Sequence, residues 1–200
     1  MPFPSTADAE PSEYDISTVD LSDDRYEVRQ SLVRNKYAVS DSAGDVVLRG
    51  KQKMLKLKEE FPFVTGDGED AFSAKAGGIV DIGGNYAIVD AGTGEEVVVL
   101  DEDYSIFVEN WTIRDPETGE ALATIRSKNK LLSGLRHLVG AANLIPNEYE
   151  IFDADGGHVG DIEGEFSMRD TYAVTVDDAS DVPKEAVIAA ACILDALENQ

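Results

Sequence analysis

From Tyr26 onward, apolar and polar positions alternate with a period of two, in short runs that end on Asp and Gly. Asn35-Lys36-Tyr37-Ala38-Val39-Ser40-Asp41-Ser42-Ala43-Gly44 leads into Asp45-Val46-Val47-Leu48. Asn85-Tyr86-Ala87-Ile88-Val89-Asp90-Ala91-Gly92 leads into Glu96-Val97-Val98-Val99, and Trp111-Thr112-Ile113-Arg114-Asp115 through Gly119 leads into Ala121 to Ile125. Glu148-Tyr149-Glu150-Ile151-Phe152-Asp153 leads through Gly156-Gly157 into Val159 to Ile162. A degenerate copy runs from Phe61 through Thr65-Gly66-Asp67-Gly68 to Phe72. Each unit is an aromatic or β-branched run, a turn rich in Asp and Gly, and a second β run, which is the signal of a hairpin. Successive hairpins without helices between them predict a meandering antiparallel sheet, and a sheet this long removes its edges by closing on itself.

Two segments leave this pattern. Between Ser127 and Pro146, Leu131, Leu132, Leu135, Leu138, Val139 and Ala142 fall on one face of a helix, which predicts a helical insertion near 128–143. Gly134 and Gly140 weaken it. At the C-terminus, Asp181 offers a cap and Pro183 suits a first turn, so a helix is expected near 183–197. Its residues Ala186 to Leu194 are apolar on every face. Such a helix must be buried all round, and these nine residues fall short of the about 20 that span a bilayer. The place in a β protein that buries every face is the inside of a closed barrel, and the alanines keep the helix thin enough for a narrow lumen.

Composition changes this picture in one respect. The chain has 200 residues, 40 Asp+Glu and 17 Lys+Arg, for a net charge of −23. An acidic surface of this kind repels nucleic acid, so no nucleic-acid partner is expected. The scarcity of Lys and the spread of carboxylates suit solubility in multimolar salt, and are read first as adaptation to a salty cytoplasm. The apolar fraction of 42% supports a packed core. Residues 1–24 carry seven acids and no base, and read as a disordered or loosely docked tail preceding a barrel domain over 25–200. They lack the basic and apolar regions of a secretory signal. A cytoplasmic protein without a transmembrane span is expected. The single Cys192 excludes an internal disulfide and reads as a buried structural thiol.

The repeated Tyr-x-Val/Ile-x-Asp-x-x-Gly hairpins, the helical insertion and the final apolar helix resemble the LURP-one-related proteins. These belong to a superfamily with the tubby C-terminal domain and the phospholipid scramblases. The segment Ile162 to Val174, followed by Ala186 to Leu197, is most similar to that family's end. The resemblance covers about 26–200. It implies a mainly β fold, a closed antiparallel barrel of about twelve strands around a buried C-terminal helix. It carries no general catalytic motif. Tubby-like members bind phosphoinositide headgroups through basic residues, and scramblases bind calcium and add a membrane anchor, of which none follows the helix before Gln200.

Catalytic chemistry is sought and not found. His137 and His158 have no nucleophile elbow to serve, and no Gly-x-x-x-x-Gly-Lys phosphate loop exists. Gly77-Gly78 and Gly83-Gly84 read as bends or bulges. The protein is expected to be non-enzymatic and to need no cofactor. Asp153-Ala154-Asp155-Gly156 begins like a calcium loop, but its twelfth position is Gly164 rather than Glu. Asp153 and Asp155 are thus read as hairpin-turn residues, with cation binding as the alternative.

The bases are unevenly placed. Residues 29–58 hold Arg29, Arg34, Lys36, Arg49, Lys51, Lys53, Lys56 and Lys58, opposed only by Asp41 and Asp45. Residues 121–147 hold Arg126, Lys128, Lys130 and Arg136 and no acid. A change of phase between Lys51/Lys53 and Lys56/Lys58 predicts a bulge or turn near Met54 that gathers lysines at one barrel end. Arg49, Lys51, Lys53, Lys56, Lys58, Arg126, Lys128, Lys130 and Arg136 are therefore the candidate binding residues for a phosphorylated ligand or a lipid headgroup, with Leu131, Leu135 and Leu138 as an interfacial face. The competing reading is that these bases pair with neighbouring carboxylates. At about 1 M ions the screening length is near 3 Å, so only direct contacts to an anion would survive. A protein-interaction module and lipid translocation are the other two functions considered.

Overall fold

In the computed structural model, the described residues are 14–31, 36–51, 60–77, 85–105, 108–128, 148–165, 171–177 and 180–198. They form twelve strands and one helix. The strands are β1 (Arg25–Gln30), β2 (Lys36–Ser40), β3 (Val46–Lys51), β4 (Phe61–Thr65), β5 (Asp70–Ala76) and β6 (Asn85–Asp90). They continue as β7 (Glu96–Ser105), β8 (Val108–Arg114), β9 (Ala121–Ser127), β10 (Glu148–Asp153), β11 (His158–Glu165) and β12 (Thr171–Val176). The helix α1 spans Lys184–Glu198.

Each strand pairs antiparallel with the next in sequence, and β1 pairs with both β2 and β12, so the sheet closes into a twelve-stranded barrel. The expected hairpins are all present. Their turns share one chemistry: a side-chain oxygen at the end of the first strand accepts backbone N–H groups of the turn. Asp115 Oδ1 accepts from Thr118 N at 2.6 Å and Glu117 N at 2.9 Å, and Asp153 Oδ1 accepts from Gly157 N at 2.7 Å. Gly119 and Gly156 close these two turns at φ of +73° and +84°, a region that costs glycine little. The ladder shifts register by a bulge near the end of each of β2, β4, β6, β8 and β10, just before the turn. Bulges of this kind coil the sheet and help it close.

Alternate residues line the lumen. Val28, Val39, Leu48, Ile88, Leu100, Ile113, Ile125, Ile151, Ile162 and Val174 are fully buried there. One wall is aromatic: Tyr37, Phe61, Phe63 and Phe72 stack in sequence, with centroids 5.5, 5.1 and 4.4 Å apart. Gly50 makes room for them, since a Cβ there would meet ring carbons of both Phe61 and Phe63 at 2.9 Å. Gly160 is tighter still. A Cβ would come 2.0 Å from the carbonyl oxygen of Thr175 on β12, which is backbone and cannot swing aside. We expect Gly160→Ala to lose ~1–3 kcal/mol in urea denaturation, as overpacking does. A melt unchanged from wild type would show that β11 and β12 are not so closely apposed.

The helix occupies the middle of this lumen. From Ala186 to Leu194 no residue is more than 5% exposed, Cys192 included. α1 touches β1 and β12 on one wall and β7, which stands opposite in the ring. Only an element inside a barrel meets opposite walls. The helix begins slightly later than the sequence suggests: the Pro183 carbonyl accepts from Val187 N at 3.3 Å, so the first turn does not use Asp181. The expected insertion near 128–143, apart from Lys128, and the bend near Met54 lie outside the described residues.

Of residues 1–24, read as a disordered or loosely docked tail, 14–24 are described, and they lie against the barrel. Ile16 is fully buried, and the segment is tied at both ends. Tyr14 donates to Asp115 Oδ2 at 2.8 Å, and Asp23 Oδ2 accepts from the Ser42 hydroxyl at 2.6 Å and from Ser42 N at 2.8 Å. Lys184 Nζ donates to the carbonyls of Leu21 and Asp23 at 3.1 and 2.7 Å. An acidic composition argued for solvation, but Ile16, together with carbonyls that meet Lys184, fits the mouth where α1 enters.

Candidate functional site

Because every pairing is antiparallel, the two barrel ends are distinct. The turns 41–45, 66–69, 91–95, 115–120 and 154–157 all lie at one end, with the entry of α1. They contain Asp41, Asp45, Asp67, Glu69, Glu95, Asp115, Glu117, Glu120 and Asp155, and no Lys or Arg. The strand ends Gln30, Lys51, Ala76, Ser105, Ser127 and Glu165 lie at the other. There the bases collect. Of ten Lys and Arg among the described residues, seven (Arg29, Lys36, Arg49, Lys51, Lys75, Arg126 and Lys128) sit within two residues of a strand terminus at this end. The described bases thus gather at the end opposite the turns, where the same spacing also places Glu60, Asp103, Glu109, Glu148, Glu150, Glu163 and Glu165.

The two basic windows share that end but not a wall. β3 and β9 stand six strands apart in a ring of twelve. Arg49 lies on the outer face of β3, and its guanidinium donates to the carbonyl of Gly66. Lys51 closes β3 at the register position opposite Lys36. Lys53, Lys56, Lys58, Lys130 and Arg136, with His137 and the leucines of the insertion, lie outside the described residues.

The described bases of the second window are engaged by the protein itself. The Arg126 guanidinium stacks over the Phe152 ring, 4.7 Å from its centroid. Lys128 Nζ meets Asp161 Oδ1 at 2.7 Å and Glu163 Oε1 at 3.7 Å. The Asp161 bond holds the Lys128 ammonium above its ordinary pKa. Partial burial pushes the Asp161 carboxyl up, but the Lys128 bond and charge, with His158, outweigh it and leave it below the usual range. His158 Nε2 lies 3.4 Å from Asp161 Oδ1 and packs edge-on against Phe152 at 5.7 Å. Here the competing reading, bases paired with nearby carboxylates, describes Lys128.

The first window offers a different surface. The ladder sets Arg29, Ala38 and Arg49 side by side across β1, β2 and β3. Around Ala38 is a hollow of about 390 Å³ lined by Arg29, Gln30, Ser31, Lys36, Tyr37, Ala38 and Arg49, three bases and no carboxylate. Arg29 pairs with Glu27 at 2.6 Å, both side chains being nearly half exposed. Sequence reading counts Arg29 and Lys36 in the basic window but does not select them, because only the register makes them neighbours of Arg49. A second hollow, of about 510 Å³, lies near the turn end between β1, β11 and β12 and mixes Arg25 and His158 with Asp24 and Asp177.

Asp153, the first position of the calcium-like run, spends one carboxylate oxygen on Gly157 N–H, and Asp155 is exposed beside it. Among the described residues no three His, Cys, Asp or Glu side chains gather as metal ligands, and no helix is long and apolar enough to cross a membrane.

A closed twelve-stranded antiparallel barrel threaded by its own C-terminal helix defines the class of fold. A sequence model described as LURP-one-related matches residues 46–195, and the chain belongs to that family. Its fold is similar to that of a protein from Arabidopsis thaliana solved by X-ray crystallography, with a TM-score of 0.58 at 10% identity. That similarity covers 92% of this chain and 97% of the plant protein. No curated protein matches the sequence.

Proposed function

We propose that this barrel is a non-catalytic binding module that presents the bases gathered at one end to a phosphorylated ligand or a lipid headgroup. The observation that supports the reading is that seven of the ten described Lys and Arg gather at the barrel end opposite five acidic turns that hold none, three of them around one hollow that no carboxylate lines. On a chain of net charge −23, a local cluster of bases without a lining carboxylate is where an anion approaches with least repulsion. The reading puts the protein in the cytoplasm, at the inner membrane surface when the ligand is a lipid.

Flotation with vesicles of phosphatidylcholine containing anionic lipid, in molar KCl, tests it. We expect the full chain to float, and Lys51→Gln/Lys53→Gln/Lys56→Gln/Lys58→Gln to float less, since a Lys near an anionic surface contributes about 1 kcal/mol before salt screening reduces it. No flotation and no difference between the two proteins would sink the lipid reading.

A further inference from the structure

We propose that the outer wall of β1, β2 and β3 is a binding site for a phosphate monoester, seated over Ala38 and held by Arg29, Lys36 and Arg49. The inference rests on the anion-binding reading above and assigns it a place and a ligand chemistry.

The geometry follows from the ladder. Arg29 and Arg49 occupy the same row as Ala38, one strand to either side, so their backbones are about 10 Å apart. Lys36 lies two residues along β2, about 7 Å from Ala38 on the same face. Three long cationic side chains thus surround the methyl group of an alanine, which leaves the hollow of about 390 Å³ between them. A larger residue at position 38 would fill it.

The charge follows the same logic. No carboxylate lines the hollow, and among the described residues neither Lys36 nor Arg49 meets one. The ladder also pairs Lys36 with Lys51. In a chain with more than two acids for each base, a wall of this kind is anomalous as a solvated surface and fits a dianion with several acceptor oxygens. Guanidinium groups suit such an oxyanion because their forked donors bind it in pairs, a direct contact that survives high salt.

On this wall, Arg29 rests on Glu27 and Arg49 on the Gly66 carbonyl. The Glu27 contact is solvent-exposed and weak, so a ligand competes with it readily. Glu27 acts as a tethered competitor.

The test has a soluble arm and a membrane arm, both with the full chain in molar KCl. In the first, glycerol 3-phosphate is titrated and backbone amide NMR shifts are followed. In the second, phosphatidylcholine vesicles carry either phosphatidic acid, a monoester, or phosphatidylglycerol, a diester of lower charge. We expect shifts centred on Arg29, Ala38 and Arg49, or flotation favouring phosphatidic acid. Arg29→Gln/Lys36→Gln/Arg49→Gln should bind at least tenfold more weakly, and Glu27→Gln severalfold more tightly. Response in the soluble arm marks a free phosphate ester as the source, and response in the vesicles alone marks a lipid headgroup. Wild-type binding that the triple variant retains, shifts centred elsewhere, or equal flotation with the two lipids overturns this site and leaves the broader reading standing. Wild-type binding in neither arm overturns both. Should the triple variant lose its fold, Glu27→Gln decides: unchanged affinity overturns the site.

Discussion

Ile193→Asp or Ala190→Glu should leave the chain without a cooperative unfolding transition. Ala190 is fully buried and Ile193 is 2% exposed, each on a helix with barrel wall on all sides. An ionised carboxylate at either position loses its water and gains no cation among the described residues, since none of the buried ones is Lys or Arg and the basic residue on α1 is Lys184 at its entry. The effective cost of one such buried charge is several kcal/mol. Glu at 190 adds bulk where the helix is thin, and Asp at 193 removes a packed isoleucine side chain, each worth a further ~1–3 kcal/mol or more. Against a typical domain stability of 5–15 kcal/mol, these sums approach the whole. Thermal and urea melts by circular dichroism give the answer. Cys192→Ala, one position from Ala191 on the same helix, introduces no charge and should keep the transition. Cooperative wild-type-like melts for both charged variants would mean that α1 does not run through the lumen.

Glu185→Gln should stabilise the protein at neutral and alkaline pH. Glu185 is 5% exposed in the first turn of α1, and burial pushes its carboxyl up to about 7 from an ordinary 4.5. Its own backbone N–H and that of Ile16, which lies 3.4 Å from Oε1, work in the other direction. Asp15 raises the value and Lys184 lowers it. The folded state therefore holds the proton more tightly than the unfolded chain. The stabilisation linked to that proton is fully present below pH 4.5 and is lost as the pH rises through about 7. The interval corresponds to ~3 kcal/mol as an order of magnitude. Gln keeps the shape and an acceptor oxygen but cannot ionise. The stability difference between variant and wild type should thus be near zero at pH 4.5, grow across the window and level off above pH 7. Urea denaturation at pH 4.5, 6 and 8 measures it. A difference that shrinks with rising pH would show that the Glu185 carboxylate is stabilised at its site rather than strained.

The two predictions concern the same helix, and they divide what was legible from what was not. Burial of Ala186 to Leu194 could be read from composition alone, because a helix without a polar face has nowhere else to go. Glu185, next to it, gave no such signal. An acid in a first helical turn ordinarily faces water and the helix dipole; here the segment around Ile16 covers it. That cover was itself unreadable, since seven acids in the first 24 residues outweigh one isoleucine in any composition argument.

The basic windows show the same division. Their existence is a count along the chain. That the first contributes Arg49 to a wall with Arg29 and Lys36, and that Lys128 of the second is held by Asp161 and Glu163, depends on which strand lies beside which.

By itself, the sequence determined the local elements: period-two runs make strands, Asp and Gly at their ends make the turns, and an all-apolar stretch makes a buried helix. These follow from forces acting over a few residues, namely side-chain alternation, turn hydrogen bonds and desolvation. Only the tertiary structure decided the closure of β1 onto β12, the gathering of bases at one barrel end, and the row of Arg29, Ala38 and Arg49. Each of these requires positions distant in sequence to be brought within a few ångströms, and the register that does so is a property of the closed sheet as a whole.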